Sequence, residues 1–174
     1  MRPILIKDFL PNNIYNELNS NSKISYDIAT DEVDPTYKLK RFHFTKYNKE
    51  LHDLVFKALT ESMYSTFSYQ FTQYEHKMDS SYVYRDKESD FDPNYHSDMK
   101  GGKFNGNFMN AIIYFREPQE WYGGEFGYKD YNLEPLIRVH DNECLIIPAG
   151  LPHKIYPVTS GIRRSINLEF RIVL

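Results

Sequence analysis

The spacing of apolar positions along the chain changes near residue 78. From Asn48 to about Phe67, Leu51, Val55, Leu59, Met63 and Phe67 recur at every fourth position with Leu54 and Ala58 beside them, the pattern of one buried helical face. A shorter helix is expected after Leu10-Pro11-Asn12-Asn13, where an asparagine cap precedes Ile14 and Leu18. Between these helices, Tyr37 to Tyr47 alternates Leu39, Arg41 and His43 with Lys40, Phe42 and Phe44 and reads as a strand. Beyond residue 78 come short runs of β-branched and aromatic residues separated by Gly, Pro, Asn and Asp. They predict strands at Ser80 to Arg85, Met109 to Phe115, Gly124 to Tyr128, Ile137 to His140, Glu143 to Ile147, His153 to Val158 and Ile162 to Leu174. Short strands with regularly spaced turn signals argue for a sandwich or barrel and against alternating βαβ units. No repeat or linker divides the chain, so residues 1–77 are expected to form a helical support and residues 78–174 a β-core of a single domain. Asp98 to Phe108 is Gly-rich and polar, a candidate lid.

Composition narrows the class. A length of 174 residues suits one domain, and 21 Lys and Arg against 24 Asp and Glu leave a net charge of −3. That balance offers no basic face for nucleic acid. The 15 Tyr and 12 Phe favour β-structure and ring-lined pockets over disorder. Cys144 is the only cysteine, which excludes an intrachain disulfide and a thiolate-rich zinc site and suits a reducing cytosol. The apolar run Pro3 to Ile6 is too short for a signal-peptide core or a membrane span, so a soluble, cytoplasmic protein without a membrane partner is expected.

Most of the six histidines, including His43, His52, His76 and His140, need only a structural explanation. His96 differs because it stands in His96-Ser97-Asp98, and residues two apart in extended chain project to the same side. His153, after the turn Pro148-Ala149-Gly150-Leu151-Pro152, offers a third ligand. Two histidines and one carboxylate describe the facial triad of non-haem Fe(II) oxygenases, although zinc accepts the same donors. Thr159-Ser160-Gly161 reads as a hairpin loop, which would pair Val158 with Ile162, Pro157 with Arg163 and His153 with Asn167. Arg163 would then lie on the face of His153, roughly 13 Å of backbone away at about 3.3 Å per residue, with its planar donors aimed at an anion beside the metal. In that last strand Ile162, Ile166, Leu168, Phe170, Ile172 and Leu174 form an apolar face, and Arg163, Ser165, Asn167, Glu169 and Arg171 a polar one. The first half of the polar face is expected to line a cavity rather than bulk water.

Taken in order, His96-x-Asp98, Tyr114 in Ala111-Ile112-Ile113-Tyr114-Phe115, Gly123-Gly124-Glu125-Phe126, and His153 with Pro157-Val158-Thr159-x-Gly161-x-Arg163-x-Ser165 resemble the signatures of 2-oxoglutarate-dependent Fe(II) oxygenases. The nearest group is the prolyl 4-hydroxylase-like branch. The resemblance covers residue 78 to the end, and the strand and helix of Ile4 to Leu18 are similar to the family's usual opening elements. It implies a mainly β fold, a double-stranded β-helix or jelly roll of two facing sheets, with the N-terminal helices packed on one of them. Carried over, it implies Fe(II) on His96, Asp98 and His153, and 2-oxoglutarate on Arg163, Tyr114, Ser165 and Tyr84, with Tyr82 sharing the strand face of Tyr84. Arg164 would point to the opposite face. The implied reaction uses O2 to hydroxylate an unactivated C–H bond, of a prolyl or other amino-acid residue in a peptide, a protein or a free amino acid, with release of succinate and CO2. Asp98 sets the chain apart from related halogenases, which lack this carboxylate. Arg85, Asn110, Trp121, Tyr122 and Asn167 are expected nearest the substrate, with specificity resting on the loops at 86–95, 99–108 and 116–123. Two other readings stay open: a cupin-like metal-dependent isomerase, and a non-enzymatic jelly-roll binding module in which His96, Asp98 and His153 would not converge.

Overall fold

The structure, a computed structural model, describes residues 2–28, 40–43, 49–67, 70–73, 81–89, 94–98, 108–115 and 121–173. Strand β1 (Ile4–Ile6) leads into helix α1 (Asn12–Ile28), followed by β2 (Lys40–His43), α2 (Lys49–Phe67), β3 (Gln70–Gln73), β4 (Ser81–Arg85) and β5 (Phe108–Phe115). The remaining strands are β6 (Tyr122–Gly123), β7 (Phe126–Tyr128), β8 (Leu136–Ile137), β9 (Cys144–Pro148), β10 (His153–Ile155), β11 (Val158–Ser160) and β12 (Arg163–Val173). The four-residue period of α2 is the observed one, with Val55, Leu59 and Met63 buried and Ala58 beside them. Helix α1 runs on to Ile28, longer than expected, because no Gly or Pro interrupts it after Pro11. Its first turn is closed by Pro11, whose carbonyl accepts the Tyr15 N–H at 2.9 Å, so the cap falls one residue before Asn12. No described helix is long and apolar enough to cross a membrane.

The large sheet runs in the order β1-β9-β5-β12-β4-β2, with β3 paired to the far end of β12. A three-stranded sheet, β10-β7-β8, and a two-stranded one, β11-β6, make up the other wall. Burial separates two cores. One lies between the helices and the large sheet, where Leu18, Val55, Leu59 and Met63 meet Ile113, Ile146, Ile166, Leu168 and Phe170. The other lies between the sheets, where Ile112, Tyr114, Leu145 and Ile147 of the large sheet meet Phe126 and Tyr128. The first 77 residues thus supply three strands as well as helices, and β1 and β2 are the two ends of that strand order. The expected strand at Tyr37 to Tyr47 is described only as β2, and the candidate lid lies outside the described residues from 99 to 107.

The expected hairpin is corrected. β12 does not pair with the segment before it: His153 stands opposite Tyr128, Val158 opposite Gly123, and β12 between β5 and β4. A strand has two edges, and β12 uses both within the large sheet, so Thr159-Ser160-Gly161 carries the chain from one sheet to the other. His153 and Arg163 therefore belong to facing sheets. The alternation inside β12 is as expected, with Ile166, Leu168 and Phe170 toward the helices, and Arg163 and Ser165 buried on the inner face.

One junction ties the helical layer to the inner core. Asn142 at φ 52° accepts from Leu10 N–H and donates to Leu10 C=O through its side chain, both at 3.0 Å. Its own N–H donates to the carbonyl of Tyr114 at 3.1 Å. Asn142→Ala is expected to cost about 2–4 kcal/mol, from two hydrogen bonds and a left-handed conformation that alanine disfavours. Asn142→Gly should recover the conformational part, about 1–2 kcal/mol, and urea denaturation midpoints measure both.

Candidate metal centre and anion pocket

Backbone pairing brings His96 beside His153. Each donates its N–H to the other's carbonyl, at 3.0 and 2.7 Å, as an isolated antiparallel bridge. Their ring centroids are 4.7 Å apart. Asp98, two residues on from His96, sets Oδ1 3.9 Å from His96 Nε2 and Oδ2 3.6 Å from His153 Nε2. Both spacings are under about 4.2 Å, twice a typical 2.1 Å first-row metal–ligand bond, and one donor atom from each of the three residues lies within 4.8 Å of the others. These residues can hold a metal ion. Among the described residues no other His, Cys, Asp or Glu joins them. The convergence runs against the non-enzymatic module, which required these side chains apart.

His153 is prepared as a neutral ligand. Its Nδ1 lies 2.8 Å from the carbonyl of Leu151, which can only accept, so the ring proton sits there and Nε2 keeps its lone pair. The side chain is buried, and burial holds its pKa below the ordinary imidazole value against the opposing pull of Asp98. Phe126 stacks on the ring at 5.1 Å. His96, by contrast, is 46% exposed at its side chain, so the centre opens to solvent on that side.

Deeper between the sheets lies a cation. Arg163 is 2% exposed, donates from Nη2 to the Tyr114 hydroxyl at 2.8 Å and covers the Tyr114 ring with Cζ 4.7 Å from the centroid. Its Nε has no partner, and among the described residues no carboxylate pairs with it. A buried guanidinium without an anion costs several kcal/mol, so this arrangement is suited to an anionic ligand. Burial raises the Tyr114 pKa, with Arg163 opposing, so the hydroxyl stays protonated and can donate to that ligand. Gly124 makes room for the arginine: a Cβ there would lie 2.8 Å from Arg163 Cδ. Gly123 is equally constrained, since its Cβ would meet the Pro157 carbonyl oxygen at 2.3 Å.

The other expected site residues divide. Ser165 is opposite Tyr114 in register and donates to Asn167 Oδ1 at 3.0 Å, so these two engage each other on the pocket face. Arg85 is opposite Arg163 and close enough to act on Tyr114. Tyr84 is opposite Arg164, which puts it on the other strand face, and Tyr82 follows it there opposite Ile166. By register the residue of β4 opposite Arg163 is Arg85, and Val83 is opposite Ser165. Trp121 packs against the inner core, Tyr122 is exposed, and Asn110 donates to Asp98 Oδ2 instead of facing open space. Of the specificity loops, residues 90–93, 99–107 and 116–120 lie outside the described residues. The Leu151 carbonyl and the stacking of Phe126 were not foreseen, although Phe126 directly follows the quoted glycine pair by two residues.

No family model matches the chain. A PKHD-type hydroxylase of Janthinobacterium sp. (strain Marseille) is 32% identical over 57 residues, a match spanning 33% of this chain and only 25% of that protein. Solved structures resemble the whole chain. A Pseudomonas putida prolyl-4-hydroxylase superposes with a TM-score of 0.72 at 14% identity, over 97% of this chain and 91% of that one. A prolyl hydroxylase from Trichoplax adhaerens, in complex with a hypoxia inducible factor peptide fragment, gives 0.70 at 14% over 97% and 83%. HygX from Streptomyces hygroscopicus, with nickel, 2-oxoglutarate and hygromycin B bound, gives 0.66 at 14% over 97% and 82%. At such identities the likeness establishes the fold, and the fold is the jelly roll of the prolyl 4-hydroxylases.

Gly124→Ala tests the packing of the pocket. The new methyl group would enter at φ 72° against Arg163 Cδ and 3.1 Å from Val158 Cγ2, with an expected loss of about 2–4 kcal/mol. Gly161→Ala, at an exposed residue with φ 75°, should lose only the conformational part, about 1–2 kcal/mol, in the same urea titration.

Proposed function

We propose that the chain is an Fe(II)- and 2-oxoglutarate-dependent oxygenase that hydroxylates an unactivated C–H bond of an amino-acid residue, with a prolyl residue of a peptide as the first candidate. One observation carries this reading: a buried arginine with no carboxylate partner among the described residues, bonded to a buried tyrosine, in the same inter-sheet space as two histidines and an aspartate that can share a metal. The donor set suits iron, and the pocket suits an anion. A ligand that answers both is a dicarboxylate with a chelating end.

In this reading His96, Asp98 and His153 hold Fe(II). With 2-oxoglutarate and O2 bound, the iron supplies the oxidising power for hydroxylation, and succinate and CO2 are released. The protein's own part is orientation. Arg163 and Tyr114 receive the distal carboxylate of 2-oxoglutarate by charge-assisted hydrogen bonds, which neutralises the buried guanidinium. The Leu151 carbonyl keeps the His153 proton on Nδ1 and so the ligand lone pair on Nε2. Phe126 and the rest of the inner core keep water from the protein side of the centre. Substrate arrives on the side of His96, whose exposed side chain suits a peptide better than a fully enclosed metabolite. Two of the similar solved structures carry prolyl 4-hydroxylase or prolyl hydroxylase names, which supports the prolyl candidate first.

The test is anaerobic loading with Fe(II) and 2-oxoglutarate followed by O2, with succinate as the readout. Arg163→Ala is expected to weaken 2-oxoglutarate binding about 100-fold or more, and Tyr114→Phe about tenfold, in calorimetric titrations with Mn(II) in place of iron. Unchanged binding in Arg163→Ala would overturn the cosubstrate assignment. Succinate without hydroxyproline on any proline-containing peptide would retain the oxygenase and discard the prolyl substrate.

A further inference from the structure

We infer that Asn110 is a positioning residue of the metal centre: its side-chain amide holds the Asp98 carboxylate where both histidines can share an ion with it. The inference rests on the reading of His96, Asp98 and His153 as metal ligands and adds a residue that touches none of the reacting atoms.

The contact is a hydrogen bond from Asn110 Nδ2 to Asp98 Oδ2. Its direction is fixed by chemistry, because an ionised carboxylate accepts only and the amide nitrogen is the end that donates. The two partners differ in how firmly the chain holds them. Asn110 lies within β5, opposite Ile147 of β9 and Glu169 of β12, so its backbone is paired on both edges. Asp98 stands outside the strands, two residues beyond His96, whose bridge to His153 fixes the backbone there. Among the described residues the polar partners of the Asp98 carboxylate are Asn110 and the two imidazoles. Once those imidazoles turn their Nε2 lone pairs to a metal, Asn110 is, among the described residues, the group left to orient the carboxylate.

This arrangement solves a specific problem. An aspartate side chain can rotate about two bonds, and that freedom must be given up when a metal binds. A donor on a rigid strand removes the freedom in advance, as outer partners of metal-bound carboxylates do. Asn110 is therefore spoken for, and a direct substrate contact would require breaking this bond.

Mn(II) titration of the apoprotein, followed by electron paramagnetic resonance of the free ion, separates the two roles. Asn110→Ala, and Asn110→Leu as a near-isosteric variant without a donor, are expected to weaken Mn(II) binding about 10- to 100-fold. At saturating Mn(II), 2-oxoglutarate should bind both variants within about threefold of wild type, because Arg163 and Tyr114 are untouched. If Asn110→Ala fails to fold, the leucine variant gives the answer. Wild-type Mn(II) affinity in a folded variant, with only the substrate KM raised, would overturn the inference and leave the metal centre standing. No Mn(II) uptake by the wild-type protein would overturn both.

Discussion

Two consecutive buried arginines set the terms for the rest of the structure. Arg163 and Arg164 are 2% and 0% exposed, at the start of β12, which is paired along both edges within the large sheet. Because side chains alternate along a strand, the two guanidiniums must be accommodated on opposite faces. Arg164 turns to the helical layer, where Asn19 of α1 accepts through its side chain at 2.8 Å and its carbonyl at 3.3 Å. Arg163 turns to the space between the sheets, where a tyrosine hydroxyl meets one nitrogen and the described residues offer no carboxylate. The first arginine fastens a helix. The second keeps its charge in the inter-sheet space beside Tyr114, so the two arginines serve different layers.

Much of this was legible in the sequence because it depends on local pattern. The β-branched and aromatic runs marked β4, β5, β7, β9 and β12, and the four-residue period marked α2; β6 went unmarked, the expected strand Ile137 to His140 is strand only at Ile137, and His153 to Val158 divides into β10 and the start of β11. The alternation in the last strand separated Arg163 from Arg164 before any partner was known. What the pattern could not supply was which strands pair. Thr159-Ser160-Gly161 looks locally like a hairpin loop, yet β12 has its edges taken by β5 and β4, which lie far earlier in the chain. Register is equally silent in the sequence for β4: only pairing shows that Arg85 stands opposite Arg163 and Val83 opposite Ser165.

The candidate site was legible to the extent that its residues are chemically conspicuous. His96, Asp98 and His153 stood out as donors, and their convergence within 4.8 Å is of the kind the His-x-Asp spacing suggested. Their supports are inconspicuous. The carbonyl that fixes the His153 tautomer belongs to Leu151, and a backbone acceptor has no sequence signature. Asn110 could be seen only as a polar residue on the face of Tyr114, since its bond to Asp98 joins a strand to a separate segment. The glycine pair is intermediate: Gly123-Gly124 announced a special backbone, but the reason, the passage of Arg163 beside Gly124, is a tertiary fact.

The helical layer is more than a buttress for this arrangement. Asn142 donates its N–H to the Tyr114 carbonyl while its side chain grips both backbone groups of Leu10, and the Tyr114 N–H donates to the carbonyl of the next residue, Glu143. The strand end that carries the pocket tyrosine is thus held by the same turn that anchors the start of α1. On the other side, α1 accepts the guanidinium of Arg164, whose backbone neighbour is Arg163. Both halves of the anion pocket are therefore fastened through one helix, from residues adjacent to the pocket but facing away from it. A hydrogen bond between Arg163 and Tyr114 at 2.8 Å needs both strands held in register, and the helix supplies the constraint that a ligand alone would have to impose on binding. The inner faces of β5 and β12 are thereby held in register from the helical layer, and the Arg163–Tyr114 pair is fixed from behind by groups that do not enter the inter-sheet space.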